Sequence, residues 1–286
     1  MTTGDPLTVT RGGVALQAYL HGAGAGPLVA FVHGGFLDRH MFDGQIGPLV
    51  GAGHPVLTWD LRGHGESGAR GPHRPSVAEL SADLLAVLEA TGHTAPAVLV
   101  GQPLGGMIAQ HVALTAPERV ARLVTIGAPC INPDDDRLRR RAAMLWRVSG
   151  LVTGLLPTSL IRSRLVTGTA VTPEARDYVR SVVDRVTKDD FRWLVEASRD
   201  AGRGLGGRRI TVRQLITRGE RDTSGAGRLT ALTAAHWVAR DPDARSEVIP
   251  DAGHQAHQDN PEVFHRLLLD FLADPTGTGA ADTAAP

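Results

Sequence analysis

The chain has 286 residues, 42% of them hydrophobic and 21% charged, and its formal net charge is zero. This balance predicts a globular protein with a sizeable core, and it excludes an overall excess of positive charge for binding nucleic acid or a membrane surface. A single cysteine, Cys130, excludes a disulfide within the chain. No segment approaches the ~20 apolar residues of a membrane span, and the first residues lack the apolar stretch of a signal peptide, so we expect a cytoplasmic protein.

Strand and helix patterns alternate along the first part of the chain. The predicted strands are 7–11, 14–20, 27–32, 55–59, 97–101 and 120–126, and the predicted helices between them are 42–51, a helix beginning after Ser76, and 103–116. Ser76 followed by Glu79 is the pattern of a capping box, which marks the start of a helix. Regular alternation of this kind predicts a parallel sheet with helices on both faces.

The pattern changes between residues 130 and 209, where no strand is predicted. Helical patterns occur at 134–148, 158–166, 173–186 and 189–200, and the strand and helix alternation returns with 210–217, 229–239, 246–250 and 261–272. We therefore predict a core domain made of 1–129 and 210–273, with 130–209 inserted as a helical lid over the carboxyl ends of the strands. Residues 274–286, rich in Gly, Ala, Thr and Pro, are expected to form a disordered tail.

Four short motifs follow predicted strands in a fixed order. They are His33-Gly34-Gly35-Phe36, Gly101-Gln102-Pro103-Leu104-Gly105, Gly219-Glu220-Arg221-Asp222 and Gly253-His254. From about residue 7 to residue 272 the chain resembles the α/β-hydrolase superfamily, in which a nucleophile in a G-x-S-x-G turn, an acid and a histidine follow one another along the sequence. The resemblance implies an α/β fold: a doubly wound, mostly parallel sheet with an inserted helical lid.

Pro103 stands where this superfamily carries its nucleophile. A pyrrolidine ring cannot attack a carbonyl, so the resemblance implies a degenerate triad. The matching positions make His254 the catalytic histidine and Asp222 its acid, with Glu220 as the alternative acid. Since proline is fixed near a φ of about −65°, we also predict that the strained turn of the family is relaxed at Pro103.

The resemblance also implies donors for a developing negative charge. These are the backbone N–H of Leu104 together with that of Gly35 or Phe36, and Gln102 is placed beside them. Pro103 removes only its own N–H, so these donors are expected to survive. His33, Cys130, Trp146 and His257 are further candidates for the pocket, each with the alternative of a purely structural role. The arginines near the start of the lid are expected to form a solvated face.

The function predicted from these residues is general acid–base catalysis without a covalent intermediate. Cyclisation, elimination, rearrangement or a similar reaction of a small substrate, such as one from secondary metabolism, fits an oriented imidazole beside oxyanion donors. The alternatives are hydrolysis of an ester, lactone or epoxide by histidine-activated water, and a ligand-binding pseudoenzyme. We expect no cofactor and no metal, a small-molecule substrate as partner, and neither nucleic acid nor membrane; the sequence leaves the oligomeric state open.

Overall fold

The computed structural model describes residues 4–71 and 74–274. Eight strands form one sheet in the order β1-β2-β4-β3-β5-β6-β7-β8. Their bounds are β1 Asp5–Arg11, β2 Val14–His21, β3 Val29–Val32, β4 Val56–Trp59, β5 Ala97–Gly101, β6 Val120–Ile126, β7 Arg213–Gly219 and β8 Ala244–Ile249. The pairs β1–β2 and β2–β4 are antiparallel, and every other pair is parallel, so the sheet is mostly parallel as predicted.

Helices cover both faces of this sheet. Their bounds are α1 Asp43–Gly51, α2 Val77–Ala90, α3 Leu104–Thr115, α4 Asp136–Leu155, α5 Thr158–Thr169, α6 Pro173–Val183, α7 Lys188–Asp200, α8 Gly225–Arg240, α9 Ala256–Asp259 and α10 Pro261–Ala273. Apolar residues of α1 and α10 share one buried cluster, and those of α2, α3 and α8 share another. Because β3, β4 and β5 are buried along their whole length, the doubly wound arrangement is confirmed.

The turn between β5 and α3 places Pro103 at the carboxyl edge of the sheet. A side chain at Gly105 would collide with the carbonyl oxygen of Val32, so glycine there allows α3 to start directly against the sheet. Pro103 has φ −69° and ψ −32°, ordinary right-handed helical values. The prediction of a relaxed turn is therefore confirmed.

Four helices, α4 to α7, lie between β6 and β7 and are called the helical insertion (residues 136–200). The insertion is held to the core on two sides. The Tyr178 hydroxyl lies 3.0 Å from Oδ1 of Asp38, in the loop after β3. The Asp259 carboxylate accepts hydrogen bonds from the backbone of Val171 and Thr172 at 2.9 and 2.8 Å.

Several element boundaries differ from the predictions. The helix predicted over 134–148 spans Asp136–Leu155, so α4 runs through Gly150 and Gly154. The eighth helix begins at Gly225 rather than at 229, and α9 was not predicted. Except for Asp274, the predicted tail lies outside the described residues. None of the helices described within 4–71 and 74–274 has both the length and the apolar composition of a membrane span.

Candidate active site

The loops after β7 and β8 bring Asp222 and His254 together at the carboxyl edge of the sheet. Nδ1 of His254 lies 2.7 Å from Oδ2 of Asp222. Parallel strands end at the same edge, which is why two residues far apart in sequence meet there. Glu220, the alternative acid, is exposed and instead accepts a hydrogen bond from the backbone N–H of Asp251. The structure therefore pairs Asp222 with His254 and leaves Glu220 outside the pair.

The protonation of the pair follows from its surroundings. Burial acts to raise the pKa of Asp222, but His254 and the hydrogen bonds from Ser224 outweigh it, so the pKa lies below its usual value. An ionised carboxylate can only accept hydrogen bonds, so Nδ1 of His254 must carry a proton and donate it. Nε2 is then the basic nitrogen, and no described residue bonds to it. His254 can accept a proton from a ligand at that atom.

Space for the imidazole comes from a glycine directly after β6. Gly127 follows β6 with φ +59°, in the left-handed region that favours glycine. A Cβ at this position would lie 2.9 Å from Nδ1 of His254. Any side chain at Gly127 would displace the ring, so this residue is part of the architecture of the site.

Two backbone N–H groups at the site have no acceptor. Neither the N–H of Gly35 nor that of Leu104 donates to another described residue. The N–H of Phe36, by contrast, donates to Nε2 of His64 at 3.2 Å, which corrects its prediction as a free donor. Burial lowers the pKa of His64 to about 3, so its ring is neutral and can accept this bond. Gly35 and Leu104 remain as the pair suited to a developing oxyanion.

A cavity of about 150 Å³ lies against His254. Its floor includes Gly35, Pro103, Leu104 and His254, and the helical insertion closes it with Trp146, Leu165, Val179, Phe191 and Leu194. A second groove, of about 600 Å³, shares Trp146, Ser149, Leu165, Thr169, Phe191, Ser224 and Gly225 with this cavity. The insertion thus contributes an apolar wall to the cavity that His254 reaches.

Gln102 lies beside Pro103 and is fully buried. Its side-chain N–H donates to the carbonyl oxygen of His254 at 3.2 Å, and its Oε1 has no partner among the described residues. The residue before the nucleophile position therefore holds the backbone of the histidine loop. It also lines the cavity, as predicted for a binding residue.

Two predicted pocket histidines lie in the core instead. The ring of His33 is bonded at both nitrogens, to the Gly34 carbonyl at 2.7 Å and to the Leu61 N–H at 2.9 Å. His257 packs between Phe42 and Phe264, and its Nε2 donates to the Met41 carbonyl. Burial lowers the pKa of both imidazoles, that of His257 to about 3. Both are neutral structural residues, and neither lines the cavity.

The remaining two pocket candidates, Trp146 and Cys130, differ in whether they line the cavity. Trp146 of α4 lines the cavity, as predicted. Cys130 does not; it lines a different cavity, of about 260 Å³, on the other side of Trp146. Burial raises the pKa of the Cys130 thiol to about 11, which makes it a poor nucleophile at neutral pH. The thiol also lies outside the cavity that His254 lines.

Ser224 and His64 were not predicted as site residues. Oγ of Ser224 lies 3.1 Å from Nδ1 of His254 and also accepts the Gly227 N–H, so this serine is the N-cap of α8. A serine two residues after the acid and directly before a helix is a readable N-cap signal.

Within 4–71 and 74–274, no group of three His, Cys, Asp or Glu side chains is arranged to hold a metal ion.

Comparison with known proteins gives the same picture for fold and superfamily. The model of the alpha/beta hydrolase fold matches residues 27–164. A 2-hydroxy-6-oxo-6-phenylhexa-2,4-dienoate hydrolase from Burkholderia cepacia is 27% identical, over 96% of this chain and 97% of its own. A pimeloyl-acyl-carrier-protein methyl ester esterase from Chromobacterium violaceum is 28% identical, over 90% and 98%.

A solved structure extends the likeness to the whole molecule. The crystal structure of a hydrolase from Pseudomonas aeruginosa has a TM-score of 0.73 and 25% identity, covering 95% of this chain and 99% of that one. The chain order of the Pro103 turn, Asp222 and His254, each after a strand, agrees with the superfamily pattern that the motifs indicated. The chain has the α/β-hydrolase fold, and residues 27–164 match the model of that family.

Proposed function

We propose that this protein is an enzyme that moves a proton on a small, largely apolar substrate without forming a covalent intermediate. The observation that carries the proposal is the intact His254–Asp222 pair, 2.7 Å apart, facing a cavity in which Pro103 occupies the nucleophile position. A protein that only binds a ligand needs no oriented imidazole beside two unused N–H donors. The pair therefore favours catalysis over binding alone.

In this mechanism Nε2 of His254 removes a proton from a bound substrate. Asp222 keeps the ring in the required tautomer and stabilises the imidazolium that forms. The N–H groups of Gly35 and Leu104 hold the negative charge that develops on a substrate oxygen. The proton then returns from Nε2 to another atom of the substrate or to a leaving group, which completes an elimination, cyclisation or rearrangement.

The size and lining of the cavity limit the substrate. A cavity of about 150 Å³ holds a ligand about the size of benzene, and the adjoining groove can take a longer substituent. Apolar side chains such as Met107, Phe191 and Leu194 surround the reacting end. We infer an aromatic or alicyclic substrate carrying one oxygen that becomes negatively charged during the reaction.

A base-catalysed ring opening of nitrobenzisoxazole tests this proposal directly. A base removes the ring C–H proton next to nitrogen, the N–O bond breaks, and a coloured nitrophenolate with a cyano group is released. We expect saturable turnover about 10²–10⁴ faster than free imidazole supports, the usual contribution of a positioned base. Binding of the probe without turnover would contradict catalysis.

A fluorophosphonate reagent supplies the complementary measurement. The intact mass of the chain should stay unchanged after incubation with it, because Pro103 offers no hydroxyl to be phosphonylated. A stoichiometric mass increase, accompanied by loss of turnover, would show that another residue serves as nucleophile and would overturn the proposal.

Hydrolysis by water that His254 activates is the second candidate. It is favoured by the names of the relatives, which are hydrolases and esterases. The two candidates differ in whether solvent oxygen enters the product. Turnover of p-nitrophenyl acetate in oxygen-18 water, with the label recovered in acetate and no acyl-enzyme mass, would favour this candidate over the first.

A further inference from the structure

The helical insertion carries a concentrated apolar surface that faces solvent. We call it the apolar patch: Met144, Leu145, Val148, Leu151, Val152 and Leu155 of α4, with Leu160 of α5. The side chains of Leu151 and Leu155 are 67% and 77% exposed. Among the described residues, Val248 is the only other exposed large hydrophobic side chain. Scattered exposed hydrophobic residues are ordinary, but a contiguous group of this kind marks an interaction site.

The spacing of the patch shows that it is one face of α4. Residues 144, 148, 151 and 155 recur at intervals of three and four, so they lie on the same side of the helix. Trp146, which lines the cavity, lies on the opposite side. The helix therefore has one face that closes the site and a second apolar face that the rest of the described chain leaves uncovered.

Unpaired positive charge adjoins the patch. Arg137, Arg140, Arg141 and Arg147 of α4 are exposed, and none forms an ion pair with another described residue. The one acidic residue in this helix, Asp136, is already paired with Arg139. By helical spacing, Arg137 and Arg141 lie on the same side as Met144 and Val148. The outward face of α4 is thus basic in its first half and apolar in its second.

We propose that α4 and the start of α5 dock on a lipid bilayer with anionic headgroups. The apolar patch would enter the boundary between headgroups and acyl chains, while the arginines contact lipid phosphates. The patch contains only apolar side chains, Leu, Val and Met, whose transfer into the acyl boundary is favourable. The adjoining arginines supply the positive charge that anionic headgroups attract.

The position of the patch gives this docking a consequence for the substrate. Leu145, Val148 and Val152 also line the groove of about 600 Å³ that adjoins the cavity at His254. A ligand dissolved in the bilayer would therefore reach the groove along aliphatic side chains without crossing water. The proposal departs from the expectation of no membrane partner, which rested on the net charge of the whole chain.

Sedimentation with vesicles tests the docking, and it needs no turnover, so it is independent of the proposed function. The full chain should bind vesicles of equal parts phosphatidylglycerol and phosphatidylcholine, and bind pure phosphatidylcholine more weakly. Each of Leu151→Ser and Leu155→Ser should weaken binding about tenfold, the effect of losing one inserted leucine. Val248→Ser, an exposed apolar site outside the patch, is the matched control and should bind like the wild type.

A labelling experiment covers the case in which a serine variant fails to fold. Cys130 is buried, so an environment-sensitive dye on Leu155→Cys reports one surface position, and Val248→Cys gives the control. The Leu155→Cys dye should shift to the blue with anionic vesicles while the control does not. Absence of vesicle binding, or equal binding by Leu151→Ser, would overturn the proposal. So would a dimer in solution that Leu151→Ser dissociates, because a second copy would then cover the patch.

Discussion

At the residue scale, the two nitrogens of His254 have different tasks. Nδ1 is committed to Asp222 at 2.7 Å and to Ser224 at 3.1 Å, so only Nε2 can exchange a proton with a ligand. Whether His254 can act as a base at Nε2 therefore depends on which ring nitrogen carries the proton before a ligand binds. That choice is made by the charge of Asp222, whose pKa lies below its usual value.

Asp222→Asn should lower turnover of the nitrobenzisoxazole probe while leaving its affinity nearly unchanged. An asparagine amide can donate to Nδ1, which would move the ring proton to Nε2 and remove the base. We expect a loss of about 10²–10⁴ in kcat, the usual contribution of a positioned base. Glu220→Gln is the matched control, since this carboxylate on the same loop bonds Asp251 instead. Equal losses in both variants would contradict the tautomer argument.

Sequence motifs predicted which residues meet at the site, but they did not predict which side chains are buried away from the cavity. The order of motifs after strands was enough to pair Asp222 with His254 and to find Gly35 and Leu104. It could not show that His33 and His257 lie outside the cavity, because a motif does not reveal how many side chains cover an imidazole. The hydrogen bond from the Phe36 N–H to His64 joins the loops after β3 and β4. No local sequence pattern predicts a contact between two separate loops.

At the scale of elements, the Asp259 carboxylate joins the histidine loop to the insertion. It accepts the Gly253 N–H at 2.8 Å, next to His254, and also the backbone N–H groups of Val171 and Thr172 between α5 and α6. The same carboxylate therefore connects the insertion to the loop that carries His254. This link could not be predicted from the sequence, because α9 is only one turn long and Asp259 bonds to a distant segment.

Strands were predicted more accurately than the helices of the insertion. The strands β5 and β6 have the predicted bounds, since β-branched runs between turn residues are distinctive. The fourth helix was predicted to end at residue 148 and instead continues to Leu155, through Gly150 and Gly154. Glycine costs a helix only about 1 kcal/mol relative to alanine, so packing against α7 and α8 can carry the helix through. The shorter prediction left Leu151, Val152 and Leu155 of the apolar patch outside the helix.

At the scale of the whole molecule, zero net charge conceals an uneven distribution. Acidic residues such as Asp60 and Asp83 are buried and paired with arginines in the core domain. Four exposed arginines of α4, by contrast, form no ion pair with another described residue. The average over the chain therefore says little about the surface that a partner meets.

Two buried histidines should make the stability of the fold depend on pH. Burial lowers the pKa values of His64 and His257 to about 3, from an ordinary value of 6.5. Below about pH 6.5 the unfolded chain binds protons at these positions and the folded chain does not, so stability falls as the pH is lowered. Each histidine should remove about 2 kcal/mol of unfolding free energy between about pH 7.5 and pH 5.

Urea unfolding of the wild type and of His257→Gln at several pH values measures this effect. The variant loses the hydrogen bond to the Met41 carbonyl and should be less stable at every pH, but its dependence on pH should be smaller than that of the wild type. Equal pH dependence in the two proteins would mean that His257 does not stay neutral in the folded state.

The central claim is that Nε2 of His254 is the base, and a single comparison tests it most directly. The ring opening of nitrobenzisoxazole should be slower by about 10²–10⁴ in kcat/KM for His254→Ala than for the wild type, because general base catalysis contributes that much. His40→Ala, which removes an exposed histidine away from the cavity, should behave like the wild type. If His254→Ala keeps the wild-type rate, the proton is taken by another group, and the account of this site is wrong.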